Sequence, residues 1–509
     1  MKQKHVLLLS AILTLCLTAC NNNNANNGGN NSVDNQNNSS ESGASTPSSE
    51  PVQTPVVEPN MELDFKSIEN NCMVPSYVQT YIDAMHDQEG KITYPHRVSN
   101  LFCNMDWATA ASQSDKGDGV EYDDDHSGGV DVCQMLNRNQ SYENVPIELK
   151  WEGEYPDAKI AFWSKVDKSD KREVKVEADG VSAKLPNLYR NTKYYYQLID
   201  GDDASQMKNF VTGDYTRMIT MGKISNVRDM GGYMTSYGVR TNQGLIYRGG
   251  EIAPKAFADG INQHNANWTG ADEEAGQKVQ EEVMNIGLEL DLRTKSGCGS
   301  MTESALNWEG DWDAPNYNAT LDDVIEAGNV NNKAEYVRCA INSFDKFITD
   351  ENRSSEADNA GRNLVKEIFE YYAQADKQHV YFHCWGGADR TGVTGFLLNA
   401  ILGVSYTDAI IDFELTTLTN NKRCHMHNST NAHMPKFLNL FVTGHTFERD
   451  GEQFEYTFEE DQTLRYNADN LLKAMGVEEE TLEQIRGIML PGYAEGKLVE
   501  NEMVNKGWQ

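Results

Sequence analysis

The sequence predicts an α/β domain with a central, mostly parallel sheet flanked by helices, preceded by a small all-β sandwich. Over residues 141–213 short apolar segments alternate with polar turns, which is typical of antiparallel strands. Over residues 214–509 buried strands alternate with amphipathic helices, which is typical of a layered α/β domain. A chain of 509 residues is also long enough to form two hydrophobic cores.

Individual elements can be predicted inside both domains. The sandwich strands are expected at 147–151, 159–163, 174–176, 181–185 and 194–198. In the α/β domain, strands are expected at 288–292 and 380–382, and a helix is expected at 391–402 with Gly403 as its stop signal. A second helix is indicated by apolar side chains that recur with helical spacing, namely Leu364, Val365, Ile368, Phe369 and Tyr372.

The N-terminus predicts export and lipid attachment. Two lysines precede an apolar run at residues 6–17, which is too short to span a bilayer as a mature helix and is typical of a signal peptide. The run ends in LTAC at residues 17–20, which resembles the bacterial lipobox. We therefore expect a signal peptide at 1–19, lipid on Cys20 and an extracytoplasmic location at a bacterial membrane.

Composition describes the next part of the chain. Residues 20–60 are rich in Asn and Ser and predict a disordered tether, because they contain too little apolar surface to offset the entropy of ordering. Residues 61–140 show no pattern that assigns them to a domain. The net charge of −33 argues against nucleic acid as a partner, since phosphate backbones are bound by clustered Lys and Arg.

A strand, loop and helix at residues 380–402 contain the residues best suited to chemistry. The loop region reads HCWGGADRTG from 383 to 392. A glycine-rich loop that enters a helix N-terminus directs backbone N–H groups at an anion. We expect phosphate oxygens to be held by the loop residues Trp385, Gly386, Gly387, Ala388, Asp389 and Arg390.

Cys384 is the predicted nucleophile of this loop. A cysteine beside an arginine at a helix N-terminus has a lowered pKa, so its thiolate is present near neutral pH. Arg390 can give two parallel hydrogen bonds to phosphate oxygens. Thr391 can donate to the thiolate, and His383 can fix the loop from outside.

The same residues resemble the loop HCxxGxDRTG of the bacterial cysteine-dependent tyrosine and dual-specificity phosphatases. The sequences NVRDMGGY at 226–233, LIYR at 245–248 and DLRT at 291–294 resemble further motifs of that family. The resemblance extends over roughly residues 224–490. It implies phosphomonoester hydrolysis through a phosphocysteine intermediate, without a cofactor or metal.

Two residues depart from that family's loop. Ala388 replaces a lysine, which removes a positive charge that would attract polyanionic phosphoinositides and favours phosphotyrosine-like monoesters. Trp385 is bulky for a loop position. It can shape the pocket or pack behind the loop, and we favour packing.

The proton donor has two candidates. Asp389, which precedes the arginine, is the candidate that the resemblance implies, because nearby anionic groups would keep its carboxyl protonated. Asp313, in the sequence DWDAP at 311–315, is the alternative acid. We expect Arg228 and Asp291 to brace the site through a charge pair and Asp229 to cap a turn.

A second resemblance lies within the predicted sandwich. Residues 188–194 read LYRNTKY and resemble the tyrosine corner of fibronectin type III domains, with Arg190 where that family usually has proline. The sandwich is therefore expected to be a spacer or a module that binds protein or glycan, since a fold alone assigns no function.

The expected activity is that of a protein-tyrosine phosphatase. The alternatives are a dual-specificity, phosphoinositide or inositol phosphate phosphatase, and a non-catalytic surface protein that binds phosphate or glycan. The expected partner is a phosphorylated protein or a small phosphomonoester.

Overall fold

The computed structural model describes residues 59–71, 73–74, 144–222, 224, 226–251, 276, 278–293, 334–342, 347–348, 362–416, 433–449, 451–504 and 506. The predictions for the signal peptide, Cys20, most of the tether and Asp313 lie outside these residues. Within them, no helix combines the length and the apolar character that crossing a bilayer requires.

The all-β region comprises two antiparallel sheets around one core. Its strands are β1 (Ile147–Lys150), β2 (Lys159–Trp163), β3 (Arg172–Lys175), β4 (Ser182–Leu185), β5 (Lys193–Asp200), β6 (Asp203–Ala204) and β7 (Lys208–Val211). β1 pairs with β4, while β2 lies between β3 and β5, and β6 and β7 both pair with β5. All five predicted strands are confirmed, with ends that differ by at most two residues.

The tyrosine side chain of the predicted corner makes the expected hydrogen bond to backbone. The N–H of Tyr189 donates to the hydroxyl of Tyr194 at 2.9 Å. Tyr194 is buried in the sandwich core with Leu188 and Leu198. This contact fixes the chain where it leaves the sandwich core and turns toward the α/β domain.

The sandwich also includes residues from the segment that the sequence left unassigned. The N–H of Lys66 donates to the carbonyl of Lys150 at 2.8 Å, which adds this segment to the edge of β1. Leu63 and Met73 are buried in the same core as the strands. The folded region therefore begins before residue 141.

The α/β domain has a five-stranded sheet. Its strands are β8 (Arg228–Asp229), β9 (Ile246–Gly249), β10 (Ile286–Asp291), β11 (Glu335–Arg338) and β12 (His379–His383), in the order β11-β10-β12-β9-β8. The four strands from β11 to β9 are parallel, and the short β8 is antiparallel to β9. A final hairpin is formed by β13 (His445–Arg449) and β14 (Glu452–Tyr456).

Six α-helices of this domain are described. They are α1 (Leu364–Tyr372), α2 (Arg390–Ile401), α3 (Tyr406–Leu415), α4 (His433–Thr443), α5 (Leu464–Ala474) and α6 (Glu479–Met489), with a π-helical turn at Gln280–Met284. The predicted helix face from Leu364 to Tyr372 is confirmed, because all five of its apolar residues are buried. α2 ends at Leu402, and Gly403 follows with a φ of +73°.

Side chains alternate between the two faces of the sheet. On β12, Val380 and Phe382 belong to the large core that includes the helices, whereas Tyr381 belongs to a smaller core on the opposite face. Both faces are therefore covered, which explains why the strand reads as continuously apolar. The carboxyl ends of the parallel strands meet at one edge, where the loop at 384–389 begins.

The sandwich and the α/β domain meet through buried charged contacts. Arg217 donates to the carbonyls of Asn187 and Leu188 in the sandwich and pairs with Asp229 at 2.7 Å. Asp229 also accepts from the N–H of Gly231 at 2.8 Å, so it caps a turn as expected and in addition neutralises a buried arginine.

Candidate active site

The loop at 384–389 connects the end of β12 to the start of α2. Cys384 is 4% exposed and lies directly after the last residue of the strand. His383 stands behind it, with Nδ1 2.9 Å from the Cys384 carbonyl and Nε2 2.8 Å from a Glu289 carboxylate oxygen. Burial lowers the pKa of His383, but the carboxylates of Asp291 and Glu289 outweigh it and raise that pKa, so both ring nitrogens can donate.

The loop carbonyls are held from outside by two buried side chains. Asn226 Nδ2 donates to the carbonyls of Gly386 and Gly387 at 3.1 and 3.0 Å. Arg248 Nη2 donates to the Gly387 carbonyl at 2.9 Å. Because N–H and C=O point in opposite directions across a trans peptide, these bonds turn the N–H groups of Gly387 and Ala388 toward the inside of the loop.

A buried charge cluster supports the two donors. Asp412 accepts from Arg228 Nε and from Arg248 Nη1, each at 2.7 Å, and all three side chains are inaccessible to solvent. Arg228 also contacts the Asn226 side chain. Burial raises the pKa of Asp412, but the two guanidinium groups lower it further, so the carboxyl stays ionised.

A second buried cluster lies at the end of β10. Arg293 pairs with Asp291 at 2.7 Å and with Glu251 at 2.5 Å. The expected charge pair between Arg228 and Asp291 is therefore wrong, because each of them has an opposite charge nearer at hand. The N–H of Glu251 donates to the Trp385 carbonyl at 2.9 Å, which connects this cluster to the loop.

The two carboxyl groups of this second cluster differ in their ionisation. Burial raises the pKa of Glu251 to about 7 despite its contact with Arg293. Burial also acts on Asp291, but Arg293 dominates there and lowers its pKa to about 2. Arg293 is therefore neutralised mainly by Asp291 at neutral pH, while Glu251 is close to its midpoint of titration.

The thiol of Cys384 is set up to ionise. Burial and the nearby Asp389 carboxylate raise its pKa, whereas Arg390 and the hydroxyl and N–H of Thr391 lower it. The lowering effects are the larger, so the pKa lies below its ordinary value. A buried thiolate at this position is a nucleophile that faces inward-pointing N–H groups.

Arg390 keeps most of its donors available. It is half-buried, and its one hydrogen bond among the described residues runs from Nη1 to the Leu292 carbonyl at 3.4 Å, which is long. Leu292 follows β10 at the same edge of the sheet. The guanidinium therefore lies at the mouth of the loop, with donors for an oxyanion bound there.

Asp389 is the only one of the two candidate acids that the described residues include. It is half-buried at the N-cap of α2, and it lies close enough to Cys384 to affect the thiol's pKa. Asp313 lies outside the described residues. Asp389 therefore stands near the reacting groups, while its role as the acid stays a prediction.

Glycine is required at position 387. Its φ is +66°, and a Cβ built there would lie 2.2 Å from the Gly249 carbonyl oxygen. Any side chain would strain the backbone and displace the end of β9. Trp385, by contrast, is 38% exposed, so the expectation that it packs behind the loop is wrong and its ring lies at the loop surface.

Sequence reasoning missed most of the loop's supports. Asn226, Arg248 and Asp412 stood only in motifs of the resemblance, and Glu251 and Glu289 were not singled out. A charged or amide residue next to an apolar strand was the available signal. That signal does not identify the partner, which is more than 130 residues away for each of the first three.

Comparisons with known proteins agree with this geometry. A model of the tyrosine phosphatase family matches residues 219–491, which is more than half of the chain. The chain is also similar to a protein of Cupriavidus necator whose provisional name is tyrosine-protein phosphatase, with 28% identity over 211 residues. That alignment covers 41% of this chain and 64% of the relative, so the chain spans just under two thirds of the relative's length.

We predict that Thr391→Val shifts the ionisation of Cys384 to higher pH. The change removes a hydroxyl that lowers the thiol's pKa and keeps the shape of the side chain. The rate of alkylation by iodoacetamide, measured against pH, should therefore rise at a higher pH than in the wild type. Thr394→Val is the control, because that hydroxyl donates to the Arg390 carbonyl instead. An unchanged alkylation profile for Thr391→Val would contradict the assignment.

Proposed function

Because the chain belongs to the tyrosine phosphatase family, we propose that it hydrolyses phosphomonoesters through a phosphocysteine on Cys384, with phosphotyrosine in proteins as the substrate class. The observation that carries the proposal is the lowered pKa of a buried thiol beneath inward-facing N–H groups and beside Arg390. A structural cysteine needs no such surroundings. Cys339, which is also buried, illustrates this, because burial raises the pKa of its thiol.

The first step transfers the phosphoryl group to sulfur. The Cys384 thiolate attacks phosphorus, a P–S bond forms and the P–O bond to the leaving group breaks. Arg390 and the loop N–H groups hold the equatorial oxygens, where charge is spread in the transition state. The proton of the Asp389 carboxyl passes to the leaving oxygen.

The second step releases phosphate. A water molecule attacks phosphorus and gives its proton to the Asp389 carboxylate, the P–S bond breaks and its electron pair returns to sulfur. The Thr391 hydroxyl stabilises the thiolate that leaves. The enzyme is then back in its starting protonation state.

The composition of the loop supports a monoester of modest charge as substrate. Ala388 is buried and uncharged, so the loop presents no lysine to a polyanionic headgroup. The exposed ring of Trp385 at the loop surface can contact an aromatic leaving group. Both features favour phosphotyrosine over phosphoinositides and inositol phosphates.

The proposal includes lipid attachment at Cys20 and a location outside the cytoplasm, and it rests there on the N-terminal sequence. The sandwich is proposed to resemble fibronectin type III domains and to contact protein or glycan. Its tyrosine corner supports the first of these two statements.

The catalytic proposal predicts turnover of p-nitrophenyl phosphate by the full-length protein in the presence of a chelator. Cys384→Ser should lower kcat at least about 1,000-fold, because loss of a nucleophile removes the covalent route. Cys339→Ala is the matched control and should keep its activity. Turnover that persists in Cys384→Ser would refute the mechanism, and a wild-type protein that binds phosphopeptide without turnover would indicate a binding protein.

The role of Asp389 predicts a dependence on the leaving group. Asp389→Asn should lose about 10²- to 10⁴-fold in kcat on a phenyl phosphate with a poor leaving group and much less on one with a good leaving group, since only the poor one needs a proton. Asp313→Asn should respond equally to both substrates. A flat response for Asp389→Asn, or the sloping response for Asp313→Asn, would assign the acid elsewhere.

Lipid attachment predicts that Cys20→Ser no longer incorporates labelled fatty acid and leaves the membrane fraction of the expressing bacterium. The reason is that the lipobox cysteine is the acylated residue. Cys16→Ser is the control, because it alters a cysteine inside the predicted signal peptide and should keep both label and membrane association. Label retained in Cys20→Ser would contradict the anchor.

A further inference from the structure

A small pocket lies where the sandwich meets the α/β domain. Its volume is about 200 Å³, which is enough for several waters or one small molecule. Arg190 of the tyrosine corner lines it from the sandwich, and Arg240 and Met234 line it from the α/β domain together with Ile411 of α3. It is separate from the loop that holds Cys384, because none of the loop residues lines it.

Two arginines share one carboxylate at this pocket. Asp214 accepts from Arg190 Nη2 at 3.0 Å and from Arg240 Nη1 at 2.9 Å, and it contacts Arg240 Nη2 as well. The group of three carries a net charge of +1. A single negative charge from a ligand would neutralise it, whereas a dianion would exceed it.

Arg190 has a donor that the protein does not use. Its side chain is 8% exposed, and its Nη1 is buried and has no acceptor among the described residues. A buried guanidinium N–H without an acceptor costs free energy, so such groups are nearly always paired. A ligand oxygen in the pocket would supply the missing acceptor.

The Arg190 side chain is held in place before any ligand arrives. Its N–H donates to Gln243 at 2.9 Å, and its guanidinium lies over the ring of Tyr233, 4.8 Å from the centroid. The Gly232 position leaves room for the arginine stem, since a Cβ there would lie 2.5 Å from Arg190 Cδ. A preorganised donor loses little side-chain entropy on binding.

The rest of the lining restricts the ligand further. Asp408 is a second carboxylate on the pocket wall, so the lining as a whole is neutral and a multiply charged anion is disfavoured. Met234, which is 45% exposed, and Ile411 add apolar surface. A singly charged head with a small apolar body matches this combination.

We propose that this pocket is a binding site for a small monocarboxylate, whose oxygens accept from Arg190 Nη1 and pair with the Arg190–Asp214–Arg240 group. The tyrosine-corner arginine then has a function that proline could not serve. The site is independent of the proposed chemistry at Cys384.

Titration of the full-length protein with benzoate and with its neutral analogue benzamide tests this proposal. Binding is measured by calorimetry and by the rise in Tm, which follows from binding to the folded state. Benzoate should bind and raise Tm, while benzamide should do neither. Equal effects of the two compounds, or no effect of benzoate, would overturn the proposal.

Variants locate the site. Arg190→Gln should raise the Kd for benzoate at least about tenfold, because it removes charge-assisted hydrogen bonds. Met234→Trp fills the pocket while both arginines remain and should also abolish binding. Met207→Trp is the matched control, since Met207 is 52% exposed elsewhere on the sandwich, and it should bind as the wild type does.

Two further measurements exclude the phosphate loop and other anions. Benzoate binding should survive Arg390→Gln; loss in that variant alone would place the ligand at the loop and overturn the proposal. Binding that survives both Arg190→Gln and Met234→Trp would do the same. Inorganic phosphate should bind more weakly than benzoate in Arg390→Gln, and tighter phosphate binding that depends on Arg190 would refute the monocarboxylate class.

Discussion

The phosphate loop depends on one buried carboxylate that lies between two buried arginines. Asp412 accepts from Arg228 and Arg248 at 2.7 Å each, in surroundings without solvent. Removing ions from water is costly, and only close, well-directed partners offset that cost. Without Asp412 the two cations would face each other unneutralised, and Arg248 would lose the contact that aims it at Gly387.

This support is needed because the loop cannot hold its own shape. An anion cradle requires N–H groups that point inward and are not already bonded within the protein. Its carbonyls must therefore be bound from outside, as Asn226 and Arg248 do at Gly386 and Gly387. The same geometry places Gly387 in the left-handed region against the Gly249 carbonyl. A short loop thus depends on residues spread over much of the domain.

Sequence reasoning succeeded where the cause was local and failed where it was not. The strand at 379–383 and the helix at 390–401 follow from consecutive residues, so their bounds and the loop between them could be predicted. The partner of Arg228 is 184 residues away, and nothing in its neighbourhood distinguishes Asp412 from Asp291. Exposure of Trp385 was likewise missed, because it depends on how β9 and the loop meet in space.

The same distinction applies to the sandwich. The sequence shows that Arg190 replaces a proline in the tyrosine corner, but only the fold shows that its guanidinium lies on the ring of Tyr233, in the neighbouring domain. The Tyr233 hydroxyl donates to Asp412 at 3.0 Å, and Asp412 orients Arg248 toward the loop. A continuous series of contacts therefore joins the sandwich to the phosphate loop. A freely moving spacer could not maintain such contacts, so the sandwich forms part of the structure that shapes the site.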